Sequence, residues 1–214
     1  MDDNIYIKVR YRGRLKNTED LPKIISETED ICKTNGWTHR IWDKDWDQPS
    51  TVNLALENGA LHFDGHAALK GITLSVGDTE LIWLTFTRDG LLQSLFTLAD
   101  PTYFLNDDKF PWQRVKTGYN GGKTHIALCK LFRYLANKYF ERFEVMDESG
   151  YWQHQDDDRF LQWINDYKHN HQLFSEELEA INEDDSLSKE EKRKRTYELY
   201  GEYKEKFMRG DLDF

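Results

Sequence analysis

The sequence has no long apolar segment and very little cysteine. It contains no run of about 18 consecutive apolar residues, so it lacks the signature of a membrane-spanning helix. Its first residues, MDDNIYIKVR, are acidic where a secretory signal is basic, so we expect no such signal. The two cysteines, Cys32 and Cys129, lie in apolar patterns typical of small core residues, without a paired-cysteine metal spacing. These features predict a reducing, cytoplasmic location.

The motifs of several enzyme classes are also absent from the sequence. There is no G-x-S-x-G, no H-E-x-x-H, no dinucleotide-binding fingerprint and no Cys/His nucleophile pattern. These absences lower the expectation of an enzyme without excluding one, since many active sites assemble from scattered residues. We expect no cofactor.

The C-terminal third of the sequence contains an excess of acidic residues. The net charge is −10. Residues 1–140 contain 18 acidic and 18 basic side chains, whereas residues 141–214 contain 21 acidic and 11 basic ones. A surface formed by the acidic residues of 141–214 would repel nucleic acid and membranes and favour a basic protein as partner. The plainer interpretation is that these acids form the solvated faces of helices.

Hydrophobic periodicity predicts a mixed α and β core over residues 1–150. Alternating residues indicate strands, spacings of three and four indicate helices, and Asn58-Gly59 is typical of a tight hairpin. We expect loops at 37–50, which is rich in tryptophan, and at 101–116. The predicted strands lie at 4–11, at 142–146 and in a meander over 54–100 that includes 91–98. The predicted helices are 19–35, with Asn35-Gly36 as its C-terminal cap, and 124–140, which is strongly apolar.

The remaining residues, 151–214, are expected to form an acidic helical region that packs on the core or extends from it. We predict helices at 156–167, 173–183 and 188–208, the last beginning with a capping box of Ser188 and Glu191. The predicted fold class is therefore α+β. One antiparallel sheet of four or five strands packs on one long central helix, followed by the acidic helical region.

The stretch 117–128, TGYNGGKTHIAL, resembles a phosphate-binding loop in composition only. Gly118 and Gly122 are separated by three residues instead of the four that such a loop requires, and no apolar strand precedes them. We therefore predict a helix start with Thr124 as N-cap. The alternative is that Lys123, Thr124 and His125 bind a carboxylate or phosphate at the free N–H groups of the helix.

Two further groups of residues could carry chemistry. His62, Asp64 and His66 have the residue types of a metal site, although Asp64-Gly65 signals a turn. Asp147 and Glu148 lie at the end of a predicted strand, and His154 follows six residues later in the sequence. Asp147, Glu148 and His154 form a candidate carboxylate cluster for proton transfer. The plainer interpretation of the second group is that its acidic residues simply form a turn.

These observations favour a non-catalytic protein that binds another protein, for example one that neutralises a basic toxin or nuclease. The alternative is a small-anion or metal-dependent ligand-binding protein or hydrolase that uses the 118–125 loop or the 147–154 turn. The helix between them, about 16 residues at 1.5 Å each, predicts a separation of roughly 24 Å, which argues against a combined site. A third option is a homodimer formed through the last helix.

Overall fold

A computed structural model of the chain describes residues 6–58, 60–77, 79–100, 110–118 and 122–208. This part of the chain has mixed α and β structure, and none of its helices is long and apolar enough to cross a membrane. It divides into two compact units. The core unit spans Tyr6–Glu148, and the C-terminal unit comprises the described residues from Ser149 onward. That the sequence encodes separate domains at 1–150 and 151–214 stays a prediction.

The first sheet of the core unit has three antiparallel strands with the N-terminal strand in the middle. Its order is β7 (Gln113–Gly118), β1 (Tyr6–Leu15) and β8 (Phe140–Asp147). The register places Ile7 opposite Thr117 on one side and Val9 opposite Asp147 on the other. Thr117 and Asp147, although 30 positions apart in sequence, therefore flank the same end of β1.

The second sheet is also antiparallel and three-stranded, and a hairpin accompanies it. The sheet order is β2 (Thr38–Asp43), β5 (Lys70–Ser75) and β6 (Ile82–Phe86), and the hairpin is β3 (Asn53–Glu57) with β4 (Ala60–Asp64). Asn58 has a φ of 52°, the left-handed conformation that the predicted tight turn requires. Antiparallel pairing and the α+β class are confirmed. One sheet of four or five strands is not, because the described strands form sheets of three, three and two.

Two helices pack on these sheets. α1 (Leu21–Asn35) lies against β2 and β5, and α3 (Lys123–Tyr139) lies against β7 and β8; a short helix, α2 (Leu95–Ala99), precedes β7. Leu128, Phe132 and Leu135 of α3 are buried at helical spacing, which confirms the predicted apolar helix.

The end of α1 offers a clean test of backbone conformation. Gly36 caps the helix with a φ of 68°, as predicted, and a Cβ built at this position meets no atom within 4 Å. The substitution Gly36→Ala should therefore cost only the strain of the left-handed backbone, about 1 kcal/mol. Urea denaturation measures this loss. A loss several times larger would mean that the α1 terminus is packed more tightly than the structure shows.

A tyrosine connects the two sheets. Tyr11 lies in β1, and its ring is wholly buried with its centroid 4.6 Å from that of Phe132. The hydroxyl accepts a hydrogen bond from the Trp83 N–H at 2.8 Å and donates one to the Trp83 carbonyl at 3.1 Å. It thereby satisfies both backbone groups of one residue on β6, which belongs to the other sheet.

The C-terminal unit is a helical hairpin that follows one short helix. Its elements are α4 (Tyr151–His154), α5 (Asp157–Glu183) and α6 (Lys189–Met208). The Phe174 ring packs edge-on against Tyr203 at 5.4 Å between centroids. The capping box is confirmed, since the Glu191 N–H donates to Ser188 Oγ and the Ser188 N–H donates to Glu191 Oε2.

Several sequence predictions about local structure were wrong. The stretch 37–50 contains β2, and the loop predicted at 101–116 contains β7. Residues 95–98, predicted to be the end of a strand at 91–98, belong to α2, because Ser94 and Thr97 build a capping box at its start. The two helices predicted at 156–167 and 173–183 are one continuous helix, α5.

Candidate functional site

Four polar side chains from three elements meet inside the core unit. Thr117 comes from β7, His125 and Cys129 from α3, and Asp147 from β8. The side chains of His125 and Asp147 are 0% exposed, and Thr117 and Cys129 are buried with them. We call these four residues the buried cluster.

The lengths of α3 and β8 explain why His125 meets Asp147. A helix of 17 residues spans about 25 Å at 1.5 Å per residue, and a strand of eight spans about 26 Å at 3.3 Å per residue. Because β8 follows α3 directly and runs back along it, the end of the strand returns to the start of the helix. The prediction that the 118–125 loop and the 147–154 turn are far apart was therefore wrong for these two residues.

Both ring nitrogens of His125 contact polar atoms. Nε2 lies 3.1 Å from Asp147 Oδ2 and 3.6 Å from Cys129 Sγ. Nδ1 lies 3.2 Å from Thr117 Oγ1, and that hydroxyl lies 3.4 Å from the carbonyl oxygen of Ile7, to which it can donate. The cluster is therefore a continuous polar chain from the backbone of β1 to the end of β8.

The electrostatics of the cluster keep its thiol protonated. Burial raises the pKa of Cys129 well above its ordinary value, and the negative charge of Asp147 raises it further. The positive charge of Arg133 acts in the opposite direction but is the smallest of the three effects. Because the two larger effects both raise its pKa, Cys129 is a neutral thiol at neutral pH, and a neutral thiol is a poor nucleophile.

The arrangement does not fit covalent catalysis by cysteine. In a catalytic triad the nucleophile and the orienting carboxylate contact opposite nitrogens of the imidazole, so that one ring can relay a proton. Here Cys129 and Asp147 both approach Nε2. Since the side chains of His125 and Asp147 are also closed to solvent, the geometry fits a buried polar network or a set of metal ligands.

The predicted ligand-binding residues at the start of α3 do not share one surface. Gly122 precedes the helix as its N-cap with a φ of 75°, so Thr124 lies inside the first turn and its prediction as N-cap was wrong. Lys123 is exposed and Thr124 is partly exposed, whereas His125 is buried. Anion binding by Lys123 and Thr124 stays a prediction, and residues 119–121 of the loop lie outside the described residues.

The predicted carboxylate cluster divides between the two units. Asp147 belongs to the buried cluster, while the exposed Glu148 accepts a hydrogen bond from the Lys8 N–H at 3.1 Å. His154 lies in the C-terminal unit, where its Nδ1 accepts from the Asp156 N–H at 3.0 Å. Proton transfer by Asp147, Glu148 and His154 together stays a prediction.

The predicted metal ligands at the β3–β4 hairpin are held in separate local contacts. Asp64 Oδ1 accepts from the Gly65 N–H at 2.7 Å, His66 Nε2 lies 2.7 Å from the Asp45 carbonyl oxygen, and His62 is exposed. His62, Asp64 and His66 are not gathered as a ligand set. Within the described part of the chain, the group that is gathered so closely is His125, Cys129 and Asp147.

Sequence reasoning missed Cys129 and Thr117 as members of a site. A signal for Cys129 was present, because HIALC places a histidine and a cysteine four residues apart on one helix face. No sequence signal marks Thr117, since its place depends on the pairing of β7 with β1.

Comparison with known proteins identifies no relative of this chain. No protein-family model matches the chain, and neither the search of curated proteins nor that of solved structures returns a significant match. The class that the structure defines is a mixed α+β protein with antiparallel sheets, a buried His–Asp–Cys–Thr cluster and a helical C-terminal unit.

Proposed function

We propose that this protein works by binding another, basic protein through the hairpin of α5 and α6. The observation that carries the proposal is a pair of exposed tyrosines on α6. Tyr197 and Tyr200 are 68% and 62% exposed and lie three residues apart, on one side of the helix. Adjacent aromatic side chains that are largely exposed are the kind of residue that dominates binding energy at protein interfaces.

The tyrosine pair lies beside an acidic segment that comprises the end of α5 and the two residues after it. Residues 176–185 contain six carboxylates and no basic side chain. Tyr203 donates to Glu177 Oε1 at 2.8 Å, and Lys192 donates to the Asn182 carbonyl oxygen, so these contacts align the two helices. Tyr197 and Tyr200, between Lys192 and Tyr203, are therefore level with the acidic segment.

The two features have complementary roles in binding. The carboxylates accelerate the approach of a positively charged partner and select against acidic ones. The tyrosine rings supply the apolar area that holds the partner after contact. A neutraliser of a basic toxin or nuclease is one protein of this kind.

The closed geometry of the buried cluster supports a binding role over hydrolysis. A hydrolase that used His125 or Asp147 would need that side chain at a surface that a substrate can reach, and both side chains are 0% exposed. This geometry leaves open small-anion binding at Lys123 and Thr124, chemistry at Glu148 and His154, and metal binding within the buried cluster.

Affinity capture with matched variants tests the proposal. The immobilised wild-type protein should retain a basic partner from the extract of its own host, and less of it at high salt. The double substitution Tyr197→Ala and Tyr200→Ala should weaken that interaction about 30-fold, which corresponds to roughly 2 kcal/mol. Titration calorimetry with the captured partner measures the change.

The control for this experiment is Tyr134→Ala on α3, a tyrosine that is 42% exposed in the other unit. It should leave the affinity unchanged. Equal binding by the double variant, or no basic protein captured even at low salt, contradicts the proposal. If sedimentation shows instead a dimer of the 25.5 kDa chain that the double variant abolishes, the tyrosines join two copies of this protein.

A further inference from the structure

The nitrogen of His125 that faces Asp147 also faces the sulfur of Cys129. The ligand atoms of these three side chains all lie within 4.8 Å of one another, and all three residues are buried. Two come from one face of α3, four residues apart, and the third comes from the end of β8. An imidazole, a thiol and a carboxylate are all ligands that zinc accepts.

One hydrogen-bonding pattern within this group leaves Nε2 of His125 able to ligate a metal ion. The Thr117 hydroxyl can donate to the Ile7 carbonyl and accept from His125 Nδ1–H. With that proton on Nδ1, a neutral ring points the lone pair of Nε2 at a carboxylate oxygen 3.1 Å away. A proton or a metal cation between the two atoms makes this contact favourable.

The two distances from Nε2 fit tetrahedral coordination of a single ion, and Cys129 Sγ and the Asp147 carboxylate lie within 4.8 Å of each other. Zinc bonds of about 2.3 Å to sulfur and 2.0–2.1 Å to nitrogen and oxygen predict separations of about 3.6 Å between N and S and about 3.3 Å between N and O. The observed distances from Nε2 are 3.6 Å to Cys129 Sγ and 3.1 Å to Asp147 Oδ2.

The charges also balance. A thiolate and a carboxylate together neutralise a divalent cation, and a neutral histidine adds no charge, so the occupied site carries no net charge into the core. Thr117, as acceptor from Nδ1–H, would fix the ring tautomer in the way that groups behind a metal-bound histidine usually do.

We propose that His125, Cys129 and Asp147 bind one Zn²⁺ ion through Nε2, Sγ and a carboxylate oxygen. The ion replaces the proton of the Cys129 thiol, which leaves to solvent, and a water molecule completes the tetrahedron. The site links α3 to β8 inside the core unit, and it is independent of the binding surface on α6.

Cobalt substitution tests this site directly. Protein freed of metal with a chelator should take up one equivalent of Co²⁺ and develop the visible absorption of tetrahedral cobalt together with a sulfur-to-cobalt charge-transfer band. Cys129→Ser should lose the charge-transfer band. Cys32→Ser provides the matched control, because Cys32 is also a buried helical cysteine and should not contribute to the spectrum.

A second measurement uses thermal stability as its readout. Zn²⁺ should raise the Tm of the chelator-treated wild-type protein and of Cys32→Ser, but not that of Cys129→Ser. Thr117→Val should weaken Zn²⁺ binding 10–100-fold. A wild-type protein that shows neither spectrum nor Tm shift, or a charge-transfer band that survives in Cys129→Ser, overturns the proposal.

Discussion

Replacement of Asp147 by alanine is expected to destabilise the core unit by about 3–5 kcal/mol. The carboxylate is fully buried and contacts His125 Nε2 at 3.1 Å. Its removal leaves a polar ring in the core without its acidic partner, and the loss of desolvated polar contacts is costly. Urea denaturation followed by tryptophan fluorescence measures the change. A chelator in the buffer ensures that the loss reflects the side chains alone.

The neighbouring residue supplies the control for Asp147→Ala. Glu148 is exposed, lies 3.6 Å from Lys8 Nζ and accepts from the Lys8 N–H, which solvent can satisfy when the carboxylate is removed. Glu148→Ala should therefore cost less than about 1 kcal/mol. Similar losses for the two substitutions would show that the Asp147 carboxylate contributes no more than a surface ion pair.

The parts of the fold that local chemistry determines could be predicted from the sequence. The apolar stripe of α3, the glycine cap at Gly36 and the capping box at Ser188 depend on residues within one or two helical turns. Each was predicted correctly because no distant part of the chain is needed to form it.

The strands that were missed depend on distant partners. β7, with the sequence QRVKTG, contains three polar or charged residues among its first four and has no strong strand signature. It is a strand because its backbone pairs with β1, more than 100 residues earlier in the chain. At residues 91–98 the error is the opposite one, because a strand was predicted where part of the segment forms a helix. The apolar pattern resembles a strand, but a local capping box starts α2.

Two residues of the buried cluster were predicted as site residues, but the sequence did not indicate that they lie close together. His125 and Asp147 were each singled out, but in different groups, and the helix between them suggested separation. The return of β8 along α3 brings them to 3.1 Å. That return is a consequence of sheet order, with β1 between β7 and β8, and periodicity along the chain does not specify sheet order.

The second large effect is expected for Tyr11→Phe, at about 2–4 kcal/mol. The substitution keeps the packed ring and removes the hydroxyl, which leaves the buried N–H and C=O of Trp83 without this partner. An unsatisfied buried polar group costs about 1–3 kcal/mol, and two are affected here. Urea denaturation measures the loss, and the phenylalanine ring ensures that a cavity does not contribute to it.

The pH dependence of this loss tests whether the Tyr11 hydroxyl is buried in the folded protein. Burial raises the pKa of Tyr11, and the hydrogen bond with the Trp83 backbone only partly offsets this. The unfolded chain ionises Tyr11 near pH 10 while the folded protein keeps it neutral, so the unfolded state binds fewer protons above that pH. The contribution of Tyr11 to stability is therefore complete below pH 10 and declines above it, by at most about 1.4 kcal/mol per pH unit. Denaturation of wild type and Tyr11→Phe between pH 8 and 11 should give a constant difference at first and a narrowing one above pH 10. Parallel curves over the whole range would show that Tyr11 ionises equally in both states and that its hydroxyl is not buried against the Trp83 backbone.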